Sequence, residues 1–223
     1  RLAEGAPPPL RATCRARGDP ATIGGSPPAS ETRMGIKLNL GCGRSPLPDW
    51  VNVDLAALPG IDVVADLDNC RMQPLPFADG SVSQMQMLHV LEHIKDTLAL
   101  MQELHRIAEP GARLLIRSPY GSSDDAYEDP THVQHHLLGG PVPAQPTYWR
   151  ADYGYRGDWA TEEMVLLVSK ADNEGLSADE VLRKVRQLRN VVIEIVAVLS
   201  AVKPIRPADR ALQPQPMVKF QLV

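Results

Sequence analysis

Two sets of residues in this chain have types and spacings that could do chemistry. In the first, Gly41-Cys42-Gly43 follows the apolar run Ile36 to Leu40, and Asp54 closes a second apolar run that begins at Val51. Glycines at a strand end let a backbone come close to a ligand, and an acid beyond the next strand can accept hydrogen bonds from ribose hydroxyls, so the pair suits a nucleotide-like ligand. Cys42, between two glycines, reads as a small close-packed residue rather than a nucleophile. The second set is Asp129-Pro130-Thr131-His132 with His135 and His136, preceded by Asp124, Asp125 and Glu128. Imidazole is the side chain poised nearest neutral pH, and Pro130 fixes the direction of the loop, which makes His132 the choice of general base. His132, His135 and His136 also permit a metal reading, but the pattern is short and holds no glutamate, so no metal is assigned.

The elements that must position these residues alternate apolar strands with helical or irregular connectors, the pattern of an α/β parallel sheet. Ile36–Leu40, Val51–Asp54, Ile61–Leu67 and Val82–Leu88 read as strands, with Gln84 and Gln86 making one face of the last unusually polar. Asp96–Ala108 reads as a helix capped by Asp96, with His105 at its surface, and Pro110-Gly111 turns the chain into a fifth strand, Arg113–Arg117. Residues 120–147 are loop-like. Residues 148–159 hold five of the ten aromatic residues and read as a hairpin or cap over the sheet, with Arg150 and Arg156 free for an acceptor or paired to Asp152 and Asp158. Ser177 and Glu180 make a capping box, and Val181, Val185, Leu188, Val192, Ile195, Leu199 and Val202 follow in steps of four and three. That spacing predicts one long helix, 178–202, packed on its own domain or against a second copy as a homodimer contact. Met217–Val223 reads as a last strand at a sheet edge.

Leu38-Asn39-Leu40-Gly41-Cys42-Gly43, Val53-Asp54, Val64-Ala65-Asp66-Leu67, Leu75 to Ser81, Leu88 to Ile94 and Glu109-Pro110-Gly111-Ala112 occur in an order that resembles the class I S-adenosylmethionine-dependent methyltransferases. The resemblance covers roughly residues 36–119. It implies a Rossmann-like, doubly wound, mostly parallel sheet that binds S-adenosylmethionine. By that resemblance Gly41, Cys42 and Gly43 approach the methionine end, Asp54 and Leu55 meet the ribose, Asp66 and Leu67 the adenine, and Leu88 and His89 lie at the carboxyl edge of the sheet. His89 then joins His132 as a candidate for catalysis, while Glu92 and His93 fix the loop that follows. Asn39 stands where the family usually has a carboxylate, and Ser45 where many members have a third glycine. Asp54 comes only 13 residues after Gly41, against roughly 20 in the usual dinucleotide-binding unit, so the first crossover is abbreviated.

A formal charge of −4 with no local basic patch gives no electrostatic footprint for nucleic acid. No apolar run approaches the roughly 18–20 residues of a membrane span, and three cysteines are too few for a disulfide framework, which favours the cytoplasm. Residues 1–33 carry six prolines and no aromatic residue and read as a disordered tail; Met34, two residues before the first strand, suits a start of translation there. Residues 34–119 are then the cofactor-binding core, and 120–223 complete the same domain with the acceptor-side loop, aromatic hairpin, long helix and final strand. The expected activity is methyl transfer to an oxygen or nitrogen of a small metabolite. The alternatives are a protein or peptide methyltransferase and a non-catalytic cofactor-binding assembly module.

Overall fold

The computed structural model describes residues 35–138, 152–209, 212 and 218–223. The tail 1–33 and Tyr148, Trp149 and Arg150 of the aromatic stretch lie outside them. Eight strands form one sheet: β1 (Ile36–Leu40), β2 (Val51–Asp54), β3 (Val63–Val64), β4 (Val82–Leu88), β5 (Ala108–Pro119), β6 (Trp159–Val168), β7 (Val192–Ala201) and β8 (Val218–Leu222). Their order is β3-β2-β1-β4-β5-β7-β6-β8. Every pairing is parallel except those of β7, which runs antiparallel to both β5 and β6. The chain leaves β1 to one side for β2 and returns on the other for β4, so the carboxyl ends of β1 and β4 flank the switch point where α/β sheets leave a crevice.

The helices in this frame are α1 (Thr97–Ile107), α2 (Asp125–Glu128), α3 (Lys170–Asn173) and α4 (Ala178–Gln187). Asp96 caps α1 by accepting from Ala99 N at 3.1 Å, and Leu100, Met101, Leu104 and Ile107 are fully buried along its inner face. Residues 41–50 make the β1–β2 connection without a helix. On the polar face of β4, Gln84 is exposed and Gln86 is tied inside the sheet. Gln86 Nε2 donates to Asn39 Oδ1 at 2.9 Å, and Asn39 Nδ2 donates to Asn52 Oδ1 at 3.0 Å and to Ser45 O at 3.1 Å. This buried ladder ties β4, β1 and β2 together. Asn39 uses both donors of its amide here, and an ionised carboxylate at that position would have none.

The expectations of one long helix over 178–202 and of a surface His105 fail. The helix that starts at Ala178, with both bonds of its capping box formed, stops at Gln187, and Val192–Ala201 is strand β7. The segment Val191-Val-Ile-Glu-Ile-Val is mostly β-branched and fits a pleated surface better than a helix. Asn190, with φ of 58°, turns the chain between the two elements and is pinned through Nδ2 to Asp124 Oδ2 at 2.6 Å. No helix spans 178–202, so the seam proposed for a homodimer does not exist. Residues 148–151 of the expected aromatic hairpin lie outside the described residues. Trp159 is fully buried at the start of β6 and donates to Met101 O at 3.2 Å, and Tyr155 is buried beside it while Tyr153 is exposed. His105 is buried, not at the surface: its ring packs edge-on to Trp159 and its Nε2 lies 3.0 Å from Val202 O. Asp158 pairs with Arg206 rather than with Arg156.

Candidate functional site

The glycine turn at the end of β1 is shaped by positive backbone angles, φ of 63° at Gly41 and 53° at Gly43. Gly41 N and Cys42 N both reach Val53 O, at 2.8 and 3.3 Å, which folds the turn over the end of β2. A side chain on Gly41 would meet Val90 Cγ2 at 2.5 Å, whereas a Cβ on Gly43 would meet nothing within 4 Å. The turn is therefore packed on its inner side and open on its outer side. Asp54, at the end of β2, braces it: Oδ2 accepts from Gly43 N at 2.7 Å and Oδ1 from Ala56 N at 3.0 Å. A carboxylate has about four lone-pair directions, so two bonds to the backbone leave capacity for two hydroxyls. Burial and the Asp54 charge hold the Cys42 thiol above its ordinary value, so it stays protonated, as expected of a packing residue.

Asp66 follows β3 and caps the short 3-10 turn Leu67–Asn69, with Oδ1 accepting from Asp68 N at 2.9 Å. The side chain of Leu67 is buried in the core. Leu55 and Leu88 are exposed beside the same strand ends. An open glycine loop, a braced acid on the neighbouring strand and a second acid beyond the next fit an S-adenosyl ligand laid across the carboxyl ends of β1, β2 and β3.

His89 stands on the other side of β1, just past β4. Its φ of 55° is unusual for a residue with a side chain, and the strain is held by His89 N donating to Arg117 O at 2.9 Å. The imidazole lies between two carboxylates. Nε2 is 2.9 Å from Glu194 Oε1, and Nδ1 is 3.5 Å from Glu92 Oε1. Glu194 in turn is clamped by Arg117, whose Nε lies 2.6 Å from Oε2. The Glu92 carboxylate beside it and the Glu194 charge raise the His89 pKa above its ordinary value, against an opposing effect of burial. Burial pushes the Glu92 carboxyl up, but His89, its own backbone amide and Ser118 outweigh that and hold it low.

Glu194 and Arg117 were not singled out in the sequence. The signal was present in Glu194, the lone acid of the apolar run Val191–Leu199. Its meaning depended on β7 pairing antiparallel to β5, which sets Glu194 opposite Pro119 at the carboxyl end of β5.

The loop after β5 scatters its histidines. His135 stacks on Tyr127 at a centroid distance of 4.3 Å. His136 is buried, and desolvation lowers its pKa to about 4, so it is neutral. His132, with a side chain only 9% exposed, packs edge-on to His93 at 4.8 Å, and its Nε2 lies 3.9 Å from Asp129 Oδ2.

Residues 38–116 match the family described as methyltransferase domain. No curated protein sequence matches. Among solved structures, the chain is similar to the YcgJ protein from Bacillus subtilis at 12% identity and a TM-score of 0.46, with 76% of this chain and 92% of that one covered. It is also similar to a SAM-dependent methyltransferase from Archaeoglobus fulgidus, at 16% identity and a TM-score of 0.47 over 75% and 87% of the two chains. For an S-adenosylmethionine-dependent methyltransferase from Mesorhizobium loti the values are 14% and 0.44 over 74% and 90%. Among the described residues no helix is long and apolar enough to cross a membrane.

Proposed function

Given that residues 38–116 form a methyltransferase domain of the class I S-adenosylmethionine-dependent kind, we propose that this enzyme methylates an oxygen or nitrogen of a small-molecule acceptor held at His89. The observation that carries the acceptor assignment is the half-exposed His89 imidazole, oriented by Glu194 at 2.9 Å at the carboxyl edge of the sheet. The cofactor, when bound, supplies a methyl group on a positively charged sulfur that an acceptor heteroatom displaces. The chain's own contribution is positioning. Gly41–Gly43 lends backbone to the methionine end, Asp54 takes the ribose hydroxyls, and Asp66 accepts from the adenine amine. His89 presents its half-exposed ring to the acceptor, and Glu194 with Arg117 keeps that ring from rotating away. Orientation of this kind can supply about 7–11 kcal/mol of the barrier, so no further acid–base apparatus is required.

Isothermal titration of S-adenosylmethionine and S-adenosylhomocysteine into wild type and Asp54→Ala tests the cofactor half. Loss of charge-assisted hydrogen bonds of about 1.5–3 kcal/mol each should weaken binding by roughly 10- to 100-fold or more. A panel of hydroxyl and amine acceptors, followed by mass spectrometry of the product, tests the acceptor half. Methylation at carbon or of a protein would overturn it, and tight cofactor binding without turnover would favour the assembly-module reading.

A further inference from the structure

Glu92 is the least satisfied charged group among the described residues. It is 1% exposed, and neither of its carboxylate oxygens has a hydrogen-bond donor there in proper alignment. The nearest cationic atom is His89 Nδ1, at 3.5 Å. His89 and Ser118 compensate this buried carboxylate only through loose contacts, which leaves both oxygens with capacity for a closer cationic partner.

The candidates for that partner are gathered around it. His93 follows in the same short turn, and the loop after β5 is laid over this turn because Val133 N and Gln134 N both donate to Glu92 O, at 2.8 and 3.0 Å. That brings His132 to His93. One ligand-capable atom from each of Glu92, His93 and His132 lies within 4.8 Å of the others. Both imidazoles are oriented from behind: His93 Nδ1 lies 2.9 Å from Thr131 Oγ1, and His132 Nδ1 lies 3.3 Å from Ala126 O. In metal sites the ring nitrogen that is not ligated is held by a hydroxyl, carbonyl or carboxylate in this way, which leaves Nε2 for the ion.

We infer that Glu92, His93 and His132 bind one divalent cation of the zinc class. Two imidazoles and one carboxylate suit zinc, iron or cobalt rather than magnesium or calcium, which prefer all-oxygen shells. Zinc–nitrogen bonds of about 2.0–2.1 Å in a tetrahedral site put ligand atoms about 3.4 Å apart, so the three side chains must close by roughly 1 Å on binding. The ion completes the compensation of the buried Glu92 carboxylate and ties the loop after β5 to the end of β4, beside His89.

The test uses the full chain, stripped with a chelator and titrated with ZnCl2 by calorimetry and with CoCl2 by visible absorption. No methyl donor or acceptor is present, so the outcome is independent of the methyl-transfer reading. One saturable site is expected, with ligand-field bands from cobalt. His132→Ala and Glu92→Gln should each weaken binding by more than ~10-fold, while His135→Ala, whose ring stacks on Tyr127, should bind as wild type does. His132 sits in a loop, so its variant carries the test if Glu92→Gln fails to fold; circular dichroism checks both. No saturable binding by the folded wild type, or unchanged affinity in folded His132→Ala, overturns the inference.

Discussion

The two glycines of the turn have different duties and should fail differently. Gly41→Ala places a methyl group 2.5 Å from Val90 Cγ2 in a left-handed backbone conformation, so it should lower stability and cofactor affinity together. Gly43→Ala meets no neighbour, so its folding should be disturbed less and its S-adenosylhomocysteine affinity should fall; urea denaturation beside calorimetry separates the two. Glu194→Ala releases His89 and strands Arg117. The methyl-transfer rate in a single turnover should then fall about 10- to 100-fold with cofactor affinity unchanged, and an unchanged rate would remove the positioning role. The buried amide ladder is also readable residue by residue. Asn39→Ala takes from Gln86 Nε2 its acceptor and from Asn52 Oδ1 one of its two donors, Leu47 N being the other, and should cost about 1–3 kcal/mol, measured as a shift in the denaturation midpoint.

Among the elements, the short helix α4 and strand β7 carry the lesson about local pattern. Ser177 and Glu180 announce the start of α4 unambiguously, because a capping box satisfies two backbone donors through local chemistry. The end of the helix has no such marker. Val192, Ile195 and Leu199 continue the helical spacing by coincidence, while the β-branched composition of Val191–Ile195 argued for the strand. Ile195 is fully buried among Tyr120, Met164 and Val185, so Ile195→Ala should cost about 2–5 kcal/mol by chemical denaturation. A cost below about 1 kcal/mol would be inconsistent with a central strand there.

Across the whole molecule, the carboxyl-terminal half is locked to the first half by buried polar contacts. His105 of α1 meets Val202 just past β7, and burial lowers its pKa below the ordinary value of about 6.5. A depressed histidine is neutral in the folded protein and takes up its proton more readily when unfolded. Its contribution to stability is therefore fully present above about pH 6.5 and is lost as pH falls below it. His136, at about 4, acts in the same direction. Denaturation midpoints measured down through this range should fall, and His105→Gln should flatten the slope. Asp158, fully buried, accepts from Arg206 Nε at 2.8 Å and from Arg206 N at 2.9 Å. Arg206→Ala should cost about 1.5–3 kcal/mol, nearer the lower figure because Arg206 is one-third exposed and partly screened.

By itself the sequence determined where the first, second and fourth strands lie, the glycine turn after the first, the α1 cap and the α4 start. Each of these is set by residues within a few positions of one another. Only the tertiary structure decided which distant side chains meet. Glu194 reaches His89 because β7 pairs antiparallel to β5, Trp159 and His105 meet because β6 starts over α1, and His132 joins His93 because two amides of its loop bind Glu92 O. Such meetings depend on strand order and register across long stretches of chain, and no local spacing encodes them.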